Sequence, residues 1–167
     1  MEREQELPPP HGLAEILAAF GEIYRYLLPD GSLDPRWQQE FLVQISLPFP
    51  MRLAWDTSRS VMQMTCHRSM AEIFGEVFGR IQVQGLQSKI ETFGGCFSFR
   101  PQRRSSKLST HCWGIAIDLN PDTNRQGSEG NMDPALIGVF REAGFEWGGE
   151  WQGKSRDPMH LQYCTGY

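Results

Sequence analysis

The sequence predicts an α+β fold in which a small antiparallel sheet is covered by helices. Three observations carry this. Two segments, 70–83 and 134–143, repeat apolar residues at helical spacing and have start and stop signals at their ends. Four short segments, 89–93, 96–100, 114–119 and 160–163, have the length of strands, and 115–118 alternates Ile115 and Ile117 with Ala116 and Asp118. The chain has 167 residues, 40% of them hydrophobic and 22% charged. That is enough to close a core without a disulfide or a structural metal.

The elements follow in chain order. Residues 1–11 are polar and proline-rich and read as a loose terminus. Leu13, Ile16, Leu17, Phe20, Tyr24 and Leu27 then predict one helix, which Pro29-Asp30-Gly31 stops. Asp34-Pro35 reads as an N-cap and a first-turn proline, opening a short helix through Trp37. Leu47-Pro48-Phe49-Pro50 cannot be helix interior and is expected to be extended. In 70–83 the residues Met70, Ile73, Phe74, Val77, Phe78 and Ile81 form one face. Ser69 and Glu72 suggest a capping box, and Gly85 suits the stop. The helix over 134–143 has Asp133 as N-cap, Gly144 past its end, and Leu136, Ile137 and Phe140 facing inward. Between the strand candidates, 121–131 is a polar loop, and the chain carries no internal repeat.

Composition excludes some function classes. The net charge is −4, so there is no basic excess of the kind a nucleic-acid binder needs. No apolar run reaches the roughly 18 residues of a membrane span, and the start lacks the apolar core of a secretory signal. Cys66, Cys96, Cys112 and Cys164 contain no C-x-x-C spacing and read as reduced thiols.

The chemistry concentrates in Ser109-Thr110-His111-Cys112-Trp113-Gly114-Ile115-Ala116-Ile117-Asp118-Leu119-Asn120. His111 sits just before a strand and Asp118 lies on it. Gly114 lets the chain turn between them, and the small Ala116 leaves space beside the carboxylate. His160 opens another short strand, with Asp157 three residues before it. Two imidazoles and a carboxylate suit Zn²⁺, and three protein ligands leave a fourth position open, as a catalytic site requires. His11 and His67 read as ordinary surface or core residues. Cys112, if the strand runs on from His111, points to the opposite face and packs.

The pattern S-x-H-x-x-G-x-A-x-D, completed by Asp157-Pro158-Met159-His160, resembles the zinc peptidases of peptidoglycan in family M15. These are the D-Ala-D-Ala carboxypeptidases and dipeptidases and the L-alanyl-D-glutamate endolysins, whose fold is shared with the hedgehog signalling domain. The run Ala116-Ile117-Asp118-Leu119-Asn120-Pro121 is most similar to the endolysin branch. The resemblance is strong over 93–163 and weaker over 47–92. It implies a zinc peptidase domain over 47–167. Residues 1–46 are then a helical extension packed on that body, since their apolar stripes need burial, or alternatively residues 12–45 are a small wall-binding or partner-binding helical unit.

The resemblance further implies one Zn²⁺ per chain, held by His111, Asp118 and His160. Asp157 becomes the general base where many relatives have Glu, and Arg100 the arginine that meets the substrate carbonyl, with Arg103 and Arg104 close enough to compete for that role. Ser109 is expected to orient a ligand. Trp151, with Trp147, is either a cleft wall or core packing. The basic run 100–107 is either a solvated loop or an attractor for carboxylates. The implied substrates are peptidoglycan stem peptides, cut at L-Ala–D-Glu by an endopeptidase or at D-Ala–D-Ala by a carboxypeptidase. A hedgehog-like zinc-containing binding module is the non-enzyme alternative. Without an export signal, the expected place of action is the cytoplasm, or the cell wall if a phage encodes the chain.

Overall fold

In the computed structural model, residues 7–103 and 105–167 are described. The start of the proline-rich terminus and Arg104 therefore lie outside the described residues. Among the described residues, two antiparallel sheets and four α-helices share one core, so the α+β expectation holds, with two sheets in place of one. Among the described residues, no helix is long and apolar enough to cross a membrane.

The first helix, α1 (Gly12–Phe20), buries Ile16 and Phe20 but ends seven residues before Leu27. Gly21 stops it at φ +113°, a conformation that favours glycine, and a Cβ there would lie 2.9 Å from Phe41 and 3.0 Å from Trp37. The remaining apolar residues continue as a 3₁₀ turn over Ile23–Tyr26. α2 (Arg36–Phe41) starts one residue later than expected, with Pro35 at the N-cap position, and the Asp34 side chain just ahead of it accepts the Arg36 N–H at 2.9 Å.

β1 (Leu42–Arg52) and β2 (Ser60–His67) form a two-stranded hairpin. Pro48 and Pro50 are tolerated because they fall in the irregular stretch between Ser46 and Met51, where the ladder bulges. β1 runs unbroken through position 46, where extension and body were divided. His67 and Trp113 tie the two parts: His67 Nε2 is 2.8 Å from the Phe20 carbonyl, and Trp113 Nε1 donates to the Gly21 carbonyl at 3.1 Å.

The next helix, α3 (Ala71–Val83), buries Phe74, Val77, Phe78 and Ile81 against β1 and α4 (Pro134–Glu142). Aromatic edges lock this layer, with ring centroids at 6.0 Å for Phe49–Phe78 and 5.4 Å for Phe74–Phe145. Each such side chain contributes about 1.5–3 kcal/mol through burial. The expected Ser69–Glu72 capping box is not made; a 3₁₀ turn over Arg68–Met70 precedes the helix, and His67 Nδ1 accepts the Ser69 N–H at 3.1 Å. Asp133 caps α4 as expected, accepting from Ala135 and Leu136.

The second sheet has the order β3-β4-β6-β5, with β3 (Phe93–Gly95), β4 (Ala116–Leu119), β5 (Glu146–Trp147) and β6 (His160–Gln162). Residues 96–100 are not a strand, because their backbone groups are used elsewhere: the Cys96 carbonyl by His111 and the Arg100 carbonyl by Ser109.

Candidate metal centre

The centre is assembled by strand register and one sharp turn. Asp118 and His160 face each other across the β4–β6 ladder, so their side chains share a face, and His160 Nδ1 lies 3.1 Å from Asp118 Oδ1. His111 arrives from a 3₁₀ turn over Thr110–Trp113 rather than from a strand. Ser109 Oγ caps that turn by accepting the His111 N–H at 3.3 Å. Gly114, at φ +71°, folds the chain into β4 while its carbonyl accepts the His67 N–H at 2.9 Å. A Cβ on Gly114 would sit 2.6 Å from the His67 nitrogen, so the turn requires glycine. The result places His111 Nε2 3.1 Å from Asp118 Oδ1.

Hydrogen bonds on the far side of each ring decide which nitrogen faces inward. His111 Nδ1 donates to the Cys96 carbonyl at 2.6 Å, leaving Nε2 as a buried lone pair with no hydrogen-bond partner. His160 Nε2 donates to Gln162 Oε1 at 2.8 Å. The orientation of that amide is set by its own Nε2, which donates to the Tyr167 carbonyl at 3.3 Å. Thr110 Oγ donates to the same Gln162 oxygen at 3.1 Å. One ligand atom from each of His111, Asp118 and His160 thus converges within 4.8 Å, all three residues being buried. Electron-rich atoms this close require a cation or protons among them, so the donor set fits a metal ion.

The electrostatics agree. Burial, the largest influence on Asp118, pushes its carboxyl up, but the adjacent imidazoles of His111 and His160 together outweigh it and hold it well below the usual carboxylate range. Burial lowers His160, and the Asp118 hydrogen bond and charge outweigh that to raise it.

Asp157 stands outside the ligand set but beside it. Its backbone N–H donates to the Gly148 carbonyl at 2.8 Å, and its carbonyl accepts the His160 N–H at 3.0 Å. Its Oδ1 is buried with no hydrogen-bond partner. Burial chiefly, with the Asp118 charge, raises its pKa, against the opposing charges of His160 and Arg103. A carboxyl so placed is suited to exchanging protons. Glu150, the other carboxylate of this stretch, is exposed and paired with Arg141.

A cavity of about 400 Å³ opens beside His160 and Asp157, lined also by Arg100, Arg103, Trp151 and Tyr167. The Arg100 guanidinium lies 3.8 Å from Asp118 Oδ2. Cys112 holds the Arg100 backbone, since its Sγ accepts the Arg100 N–H at 3.3 Å and donates to the Arg100 carbonyl at 3.1 Å. Arg103 is exposed at the rim, and Arg104 lies outside the described residues. The Trp151 ring stands 5.5 Å from the His160 ring and its Nε1 donates to Glu146 at 2.7 Å, so it forms a wall of the cavity. Trp147 packs behind, donating to the Pro158 carbonyl at 2.7 Å. The two ordinary histidines are satisfied elsewhere: His11 on Thr165, and His67 in the core.

Sequence reasoning missed Gln162, Thr110 and the Cys96 carbonyl. Gln162 carried a signal, since it lies two residues after His160 and so on the same face of β6. The Cys96 carbonyl carried none, because any residue supplies a backbone oxygen.

A search of curated proteins and a search of solved structures each return no match to the chain. The family model described as D-alanyl-D-alanine carboxypeptidase, of peptidase family M15, matches residues 103–163. That span contains His111, Asp118, Asp157 and His160, and stops short of Arg100. The match covers less than half of the chain, and it shows that the segment enclosing the buried His111–Asp118–His160 cluster is similar to the M15 peptidases.

Proposed function

We propose that the chain is a zinc-dependent endopeptidase that cuts the L-Ala–D-Glu bond of peptidoglycan stem peptides. The observation that carries the reading is the convergence of His111, Asp118 and His160 beside a buried, unpartnered Asp157 oxygen. Two imidazoles and one carboxylate are a zinc-type donor set. A purely structural zinc would leave Asp157 without a role, which argues against a binding module.

When bound, zinc would supply Lewis-acid polarisation of the scissile carbonyl and acidify water near neutral pH. Asp157 takes a proton from the attacking water at Oδ1 and passes it to the leaving amine nitrogen. Its raised pKa suits both halves of that exchange. Arg100, held by Cys112 and Ser109, supplies fixed positive charge for the carbonyl oxygen as it gains negative charge. The Cys96 and Gln162 hydrogen bonds keep the two imidazoles in the ligating tautomer.

Support for an endopeptidase comes from the cleft. A shallow depression lined by Gly94, Arg100, Pro121 and Met159 borders Asp118, while the main cavity borders His160 and Asp157. A chain can therefore be accommodated on either side of the centre. The alternative, a D-Ala-D-Ala carboxypeptidase, is favoured by the description of the matching family model. Digestion of purified sacculi followed by mass spectrometry separates the two. Endopeptidase action frees peptides from the glycan; release of D-alanine alone from pentapeptide stems, with the stems still attached, overturns the endopeptidase reading.

A further inference from the structure

The hairpin β1–β2 presents a solvent-facing groove that the metal centre does not use. It is lined by Leu53, Trp55, Arg59, Gln63, Thr65 and Phe97 and encloses about 320 Å³. Trp55 is 65% exposed, an unusual state for so large an apolar ring. Its aromatic neighbour Phe93, with centroids 6.3 Å apart, steadies it from one side.

The polar residues beside it are arranged in a row. Gln63 and Thr65 alternate along β2 and so project from one face, and Arg59, just ahead of the strand, lines the same groove. Ser46 and Gln44 sit opposite Gln63 and Thr65 on β1, extending that face. Among the described residues, none of these five side chains makes a hydrogen bond or ion pair, so their donors and acceptors remain available.

We propose that this groove binds the glycan strand of peptidoglycan, an inference that rests on the peptidase reading above. A pyranose ring has one flat face of C–H groups, which lies against the negative face of an indole, and a rim of hydroxyl and acetamido groups, which needs neutral donors and acceptors. Trp55 flanked by Arg59, Gln63 and Thr65 offers both. An apolar peptide would leave that row of polar groups unpaired, and an anionic polymer would meet Arg59 as the sole cation lining the groove among the described residues.

The groove adjoins the centre through a shared segment. Gly95 and Cys96 line the groove, while Gly95 pairs with Asp118 across the β3–β4 ladder and the Cys96 carbonyl accepts from His111 Nδ1 at 2.6 Å.

The test uses the hexamer of β-1,4-linked N-acetylglucosamine as probe, titrated calorimetrically into the full chain. The wild type is expected to bind it, Trp55→Ala to weaken binding about tenfold or more, and Gln63→Ala by a smaller factor. Met62→Ala, one residue along β2 and on its other face, is expected to bind like the wild type. Circular dichroism checks that each variant is folded. Absence of binding, or equal binding by wild type and Trp55→Ala, overturns the glycan groove whatever the enzyme does to sacculi. Trp55-dependent binding by a chain that releases no peptide from sacculi retains the groove and overturns the peptidase reading instead.

Discussion

His67 offers a stability prediction that can be worked through from its contacts. The residue is 4% exposed, between the N-terminal helix and the hairpin, and the Phe20 ring meets it edge-on with centroids 5.0 Å apart. Its Nδ1 accepts the Ser69 N–H, so Nε2 carries the proton and donates to the Phe20 carbonyl. A second proton has only Nδ1 to occupy, and that lone pair is already engaged. Burial above all, helped by the charge of Arg68 and opposed by the Phe20 hydrogen bond, brings its pKa from 6.5 down to about 4. The unfolded chain takes up this proton near pH 6.5 and the folded chain only near 4. Between those values the unfolded state binds more protons, so His67 leaves stability intact above about pH 7 and removes it as the pH falls to 4. At 1.36 kcal/mol per pH unit, the full interval amounts to about 3 kcal/mol. His67→Gln keeps a donor for Phe20 and an acceptor for Ser69 but cannot be protonated. Urea midpoints of metal-free wild type and variant at pH about 7.5, 5.5 and 4 are the assay. The variant is expected to lose roughly 3 kcal/mol less than the wild type over that range, leaving the acid response of the other groups common to both. Parallel pH profiles would refute the reasoning, because His67 would then be protonated in the folded state.

Three further outcomes are expected. His111→Ala and His160→Ala should each lose stoichiometric zinc by elemental analysis while circular dichroism stays native, since the core closes without the centre; full zinc retention in both would overturn the ligand set. Asp157→Asn should retain zinc and fold but lower kcat by about 10²–10⁴, measured on a stem-peptide substrate, and near-normal turnover would remove it from the general-base role. Gly114→Ala places a Cβ 2.6 Å from the His67 nitrogen at a left-handed φ, so a loss of about 2 kcal/mol or more is expected in the urea midpoint; an unchanged midpoint would mean that the turn relaxes freely.

Much of the scaffold was legible because its causes are local. The inward face of α3, the Asp133 cap of α4, the Gly85 stop and the Asp34 hydrogen bond ahead of α2 all depend on residues within a few positions of one another. His111, Gly114 and Asp118 were legible for the same reason, since one turn and one strand relate them. The short-range reading failed wherever a distant partner decided. The first helix was drawn through Leu27, but Trp37 and Phe41 crowd Gly21 and turn the chain there. β2 was missed because its exposed and buried residues alternate imperfectly, and its pairing with β1 only becomes apparent when the two strands are brought together. The Ser69 capping box gave way to His67, whose ring was already anchored on Phe20.

By itself, the sequence determined the residue types of the candidate metal centre, the α+β class and the helices that cover the sheet. Only the tertiary structure decided that His160 stands opposite Asp118, 42 residues away, and that Cys96 and Gln162 aim the two imidazoles. Strand register is set by which apolar faces bury together across the whole core, and hydrogen bonds to backbone carbonyls leave no mark on residue identity.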